Sequence, residues 1–174
     1  MAITASDVNK LRQQTGAGMM DCKNALVEAN GDFEAAVDIL RKKGQKIAAK
    51  RGDNDAKEGV IIAQASADGK SGVILTLNCE TDFVAKNDGY VAMVQSLVDI
   101  ALDKLPATVE ELKALPYDAR LSVEEKITEQ VGVVGEKLDL SGYAVMNSNF
   151  VVAYNHPGNQ LATLVGLSAG TAAD

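Results

Sequence analysis

Residues 59–79 read GVIIAQASADGKSGVILTLNC, and the reading of this stretch decides the fold. Two β-prone runs, Gly59 to Ser66 and Ser71 to Cys79, flank Ala67-Asp68-Gly69-Lys70. An Asp-Gly pair between apolar runs is a strong hairpin signal, because both residues tolerate the left-handed backbone of a tight hairpin turn. In the second run Val73, Leu75 and Leu77 alternate with Ile74, Thr76 and Asn78. One face is therefore the more apolar, and it packs on a helix. The residues from about Gly89 to Asp103 supply that helix: Tyr90, Val91, Val94, Leu97, Val98, Ala101 and Leu102 trace a helical stripe, with Asn87 or Asp88 as its cap.

Downstream, a linking stretch holds Pro106 and Pro116, and Ser122 with Glu125 forms a capping box for a helix that includes Val123, Ile127 and Val131. Gly132 and Gly135 loosen that helix. Strands are expected over Leu138 to Met146, Phe150 to His156 and Gln160 to Leu167, with His156-Pro157-Gly158-Asn159 turning the last hairpin.

Upstream of the hairpin the period is helical. Thr4 caps a first helix from Ala5, with Asp7 in a variant capping box and Ile3 and Val8 at staple spacing. Val8 and Leu11 form its inner face, and Thr15-Gly16-Ala17-Gly18 ends it. A second helix runs from about Met19 to Ala29, with Cys22, Ala25, Leu26 and Ala29 at i, i+3, i+4, i+7. Asp32 caps a third, where Phe33, Ala36, Val37 and Leu40 repeat the spacing and Gly44 follows a cationic last turn. The fold class is α+β: an N-terminal three-helix bundle, then an α+β core of antiparallel hairpins packed on helices. The expected division is a bundle over 1–51, a linker over 52–58, a first core subdomain over 59–137 and a second beginning at 138 and running to 174.

Charge follows the same division. Of 17 basic and 24 acidic residues, 1–51 carry nine and six, net +3, which leaves 8 − 18 = −10 for 52–174. The total of −7 argues against a general nucleic-acid binder held by whole-molecule charge. The run RKKGQKIAAKR over 41–51 reads as a solvated helix end, since no aromatic residue is interleaved with it. No apolar run approaches the roughly 20 residues of a membrane-spanning helix, and MAITASDVNK lacks a basic-then-apolar signal, so a cytoplasmic protein is expected. Cys22 and Cys79 have no CxxC spacing and His156 is the single histidine, so buried, reduced thiols are expected rather than a metal or redox site, with a disulfide in an exported protein as the weaker alternative.

Two features exceed packing. Met19 and Met20 are adjacent after a Gly-x-Gly turn, and adjacent helical residues point about 100° apart, so both cannot lie on a narrow core stripe. At least one is exposed, where flexible, polarizable Met serves adaptable binding patches, and Arg12 could flank the patch. The second is the loop Asn78-Cys79-Glu80-Thr81-Asp82-Phe83-Val84-Ala85-Lys86-Asn87, between a strand and a helix, where function concentrates. A packing alternative buries Phe83 beneath the hairpin while Thr81 or Asp82 caps a short turn. An enzyme alternative makes Asp82 or Glu80 a general base, but no His, Lys or metal-ligand constellation surrounds either carboxylate in sequence, and no phosphate-binding Gly-rich motif is present.

The run from Thr15 to Leu26, the following Glu28-Ala29-Asn30-Gly31-Asp32 and the run from Asn78 to Asn87 closely resemble bacterial translation elongation factor Ts, in the expected order and spacing. The resemblance extends through Gly135 and the hairpin around His156, so it covers essentially the whole chain. It implies a guanine-nucleotide exchange factor that binds elongation factor Tu carrying GDP, performs no covalent chemistry and needs no cofactor or metal. It implies no direct contact with nucleic acid, membrane or nucleotide. The bundle would be a ubiquitin-associated-like domain, docking through Arg12, Met19, Met20 and Lys23. Thr81, Asp82, Phe83 and Val84 would enter the Mg²⁺ and phosphate region of the GTPase domain. Val134, Gly135 and His156 match further contact positions. A ubiquitin-associated-type interaction module without exchange activity is the alternative. Against the family the chain ends early, at Ala172-Ala173-Asp174, and the second core subdomain is expected to be incomplete.

Overall fold

The structure, a computed structural model, describes residues 3–168. Residues 1–2 and 169–174, which close the first and last expected segments, lie outside the described residues. In chain order the elements are α1 (Ala5–Thr15), α2 (Met19–Glu28), α3 (Phe33–Lys50), β1 (Glu58–Ala65), β2 (Ser71–Cys79), α4 (Asp82–Ala85), α5 (Asp88–Lys104), α6 (Val109–Ala114), α7 (Val123–Val134), β3 (Asp139–Asn147), β4 (Phe150–Asn155) and β5 (Ala162–Leu167). Helices followed by antiparallel strands packed on helices make the fold α+β, as the sequence indicates. The short helix α6, in the stretch between the two prolines, was not anticipated.

Contacts divide the chain into two units, Met1–Asn54 with Glu125–Leu138, and Asp55–Glu124 with Asp139–Asp174. The division anticipated from sequence order ends the first unit at residue 51 and leaves 125–137 in the core, whereas the contacts join most of α7 to the bundle. The reason is glycine. Gly44 does not stop α3, which continues to Lys50, and Gly132 does not loosen α7 but lies within it. A Cβ added at Gly44 would lie 2.6 Å from the Thr128 carbonyl oxygen, and one at Gly132 would lie 3.0 Å from the Gly44 Cα. Two helix backbones thus meet where neither has a side chain, and Arg41 reaches Glu125 at 3.6 Å alongside.

The rest of the first unit follows its caps and stripes. Thr4 and Asp7 bond reciprocally in a capping box, and Gly16, at φ 72°, ends α1. Val8, Leu11, Cys22, Ala25, Leu26 and Ala36 form the buried centre, with Ile3, Phe33, Val37 and Leu40 packed around it. An ion pair between Lys43 and Asp21 links α3 to α2.

In the second unit β1, β2 and β3 form an antiparallel sheet in that order. The β1–β2 hairpin runs in register from Glu58 opposite Cys79 to Ala65 opposite Gly72. Its turn is held by Asp68, whose carboxylate accepts the Ser66 hydroxyl at 2.6 Å and the Lys70 N–H at 3.0 Å. Val73, Leu75, Leu77 and Cys79 are fully buried on one face of β2, while α5 buries Tyr90, Met93, Val94, Leu97, Val98 and Ala101. Strands β4 and β5 form a separate two-stranded sheet. Asn155 ties it to β1, donating to the Ala63 carbonyl and accepting the Ala63 N–H, each at 2.8 Å. Gly72 leaves room for this sheet: a Cβ there would lie 2.7 Å from both Val151 and Leu164.

Candidate functional site

The loop between β2 and α5 is fastened at both ends. Cys79, the last residue of β2, is fully buried, and its thiol donates to the Thr81 carbonyl at 3.2 Å. Tyr90, in the first turn of α5, donates its hydroxyl to the Leu77 carbonyl at 2.9 Å, where the β2–β3 register shifts between Thr76 and Leu77. Asn87 caps α5 by accepting the Tyr90 N–H at 3.2 Å. Between these fastenings α4 is a single turn.

Within that turn Ala85 is buried, Thr81, Asp82 and Val84 are half-buried, and Phe83 is 84% exposed. The packing alternative, Phe83 beneath the hairpin, is overturned. Ala85 takes the inward position, and Phe83, two residues earlier, is about 200° away around a helix and faces out. Lys86 ends the turn and folds back on its start: its N–H donates to the Asp82 carbonyl at 2.9 Å and its Nζ to Asp82 Oδ2 at 2.6 Å. The Lys86 ammonium holds the Asp82 carboxyl below its ordinary value, and Asp82 raises Lys86 in return. A general base near neutral pH needs a carboxyl shifted the other way, so this environment runs against that role for Asp82.

In the first unit Arg12, Met19, Met20 and Lys23 are all exposed. The methionines are 47% and 63% exposed because Cys22, Ala25 and Leu26 occupy the core stripe of α2. Met19 and Lys23, one turn apart, line a groove of about 290 Å³ together with Ile3, Thr4, Ala5 and Val8 from the start of α1. Val134 and Gly135 are half-buried at the end of α7, where Gly135, at φ 74°, donates to the Val131 carbonyl at 2.8 Å. Their neighbour Val133 lies 3.8 Å from where a Gly16 Cβ would stand. The fold thus brings the end of α7 beside the α1–α2 turn that leads into Met19, a proximity the sequence does not announce. His156 belongs to the second unit, exposed at the β4–β5 turn, with its Nδ1 2.8 Å from the Tyr154 hydroxyl. That turn is held to β1 by the Ile61 N–H, which donates to the Asn159 carbonyl at 2.8 Å.

Lys86 is the residue that sequence reasoning passed over. Its signal was present, since an acid four residues before a base is a favourable helical pair.

Large apolar side chains held clear of the core, Phe83 on its fastened turn and Met19 and Met20 at the start of α2, are the kind of surface on which a contact with another macromolecule can be built. The profile of the family described as Elongation factor TS matches residues 80–174. Over 95% of its length the chain is 54% identical to the elongation factor Ts of Christiangramia forsetii, covering 60% of that protein. It is 53% identical to that of Amoebophilus asiaticus over the whole chain and 62% of the relative, and 49% identical to that of Porphyromonas gingivalis over 94% and 59%. The chain belongs to the elongation factor Ts family of translation factors. It spans about 60% of the length of these curated relatives.

Proposed function

We propose that this chain binds elongation factor Tu carrying GDP and accelerates release of the nucleotide, acting in the cytoplasm as an exchange factor and not as an enzyme. The observation that carries this reading is Phe83, 84% exposed on a turn whose flanks are tied to β2. An aromatic side chain brings large apolar area with few rotatable bonds, so it keeps its shape when pressed into a partner. Mg²⁺ tolerates little departure from octahedral geometry and bridges protein to phosphates, so a wedge that displaces the partner's surrounding elements slightly loosens the nucleotide. Asp82 and Phe83 form the wedge, with Thr81 and Val84 flanking it. Arg12, Met19, Met20 and Lys23 dock the first unit on the GTPase domain, and Val134, Gly135 and His156 add contacts.

Linkage sets the energetics. Whatever factor this chain takes from GDP affinity, GDP takes from the affinity of this chain, so exchange runs through a ternary complex in which each ligand weakens the other. Release of fluorescent GDP from elongation factor Tu at saturating factor tests the reading. Phe83→Ala should retain binding and lose at least about tenfold in maximal release rate, a difference of about 1.4 kcal/mol in the barrier. Undiminished acceleration by Phe83→Ala would remove Phe83 from the mechanism.

A further inference from the structure

We infer that Lys86 is a positioning residue for the Phe83 wedge: by clasping Asp82 it holds the single turn of α4 closed and so fixes where Phe83 points. The inference rests on the exchange-factor reading. A side chain as exposed as Phe83 touches too little of its own protein for packing to orient it. Its direction comes from the backbone of α4, and a four-residue turn is far shorter than a helix that sustains itself in water. Lys86 bonds Asp82 twice, once from its backbone N–H at 2.9 Å and once from its ammonium at 2.6 Å, and Phe83 lies between the two clasped residues. Acid before base at i, i+4 is the favourable order on a helix. Glu58, on β1, adds a weaker attraction for the same ammonium. The clasp also pairs the Asp82 carboxylate with a cation while the protein is free.

The test uses the full chain with Lys86→Met, Lys86→Arg, Phe83→Ala and the double variant Phe83→Ala/Lys86→Met. In fluorescent-GDP release from elongation factor Tu at low salt, Lys86→Met should lower the maximal rate about twofold, the ratio expected from opening a surface i, i+4 pair. High salt should shrink the difference by screening, and Lys86→Arg should restore the rate. In the Phe83→Ala background Lys86→Met should add nothing, because a positioning residue acts only through what it positions. A partner-free readout accompanies these: by carboxyl NMR the Asp82 midpoint, held below the ordinary carboxylate value by Lys86 in the parent, should move up in Lys86→Met. If Lys86→Met matches the parent while Phe83→Ala is slow, the positioning role is overturned and the exchange reading stands. An equal loss in both backgrounds places Lys86 on the partner and overturns positioning through Phe83. If neither single variant slows release, the wedge reading falls, and an Asp82 midpoint unmoved by Lys86→Met would overturn the clasp on its own terms.

Discussion

Phe83, Met19 and Met20 are apolar side chains that folding leaves in water, and each is held out by what its neighbours do. The methionines are displaced from the core by Cys22, Ala25 and Leu26; that at least one is exposed was legible because adjacent helical positions diverge by about 100°, but that both are was not. The direction of Phe83 was not legible. It depends on Ala85 being the inward residue of α4, and no pattern four residues long has a period to read. Because these side chains bury little within the chain, their removal leaves the core intact. Met20→Ala should therefore unfold at the same denaturant concentration as the parent, within about 0.5 kcal/mol. Titration calorimetry against nucleotide-free elongation factor Tu should find it bound several-fold more weakly; an unchanged affinity would exclude Met20 from the docking surface.

At the scale of elements the instructive residues are glycines. Gly16 takes positive φ and ends α1, as the sequence suggests; Gly135, expected with Gly132 only to loosen its helix, also takes positive φ and lies just past the end of α7. Gly44 and Gly132 stay helical and mark where α3 and α7 touch backbone to backbone. The letter is the same in both cases, and only the neighbour across the gap separates a stop from a crossing, which is why sequence reading shortened α3. An alanine in a helix ordinarily gains up to about 1 kcal/mol over glycine. At Gly44 the added methyl would sit 2.6 Å from the Thr128 carbonyl, so α7 must shift, and overpacking of this kind typically costs about 1–3 kcal/mol. Gly44→Ala should thus destabilise the protein in urea unfolding. A gain in stability would show that α3 and α7 separate at no cost.

At the scale of the molecule, the hairpin, its covering helix and the α+β class were legible because each rests on local period and turn chemistry. The grouping of Glu125–Leu138 with the bundle was not, because nothing in either segment names a partner so far along the chain. The last sheet shows a third kind of information. Residues 140–173 contain no Asp, Glu, Lys or Arg. On the outer face of β4–β5, Phe150 pairs with Leu167, Val152 with Val165 and Tyr154 with Thr163, and all five apolar members are exposed. Such a face should bind anilinonaphthalene sulfonate in the native state. Val152→Lys combined with Val165→Glu should abolish the enhanced fluorescence without moving the unfolding midpoint, whereas persistent fluorescence would place the dye elsewhere.

The discontinuous first unit also has a schedule. About 70 residues separate Asn54 from Glu125. At the usual ~5–20 residues per second of synthesis, α1 to α3 leave the ribosome on the order of 4–14 s before α7 can join them. Through that interval Gly44 has no backbone opposite it and Gly16 lacks Val133, so the nascent bundle stands on its own small core around Leu11, Cys22 and Leu26 without α7. The unit is completed in two instalments, and its first half spends those seconds exposing the strip of α3 that α7 later covers.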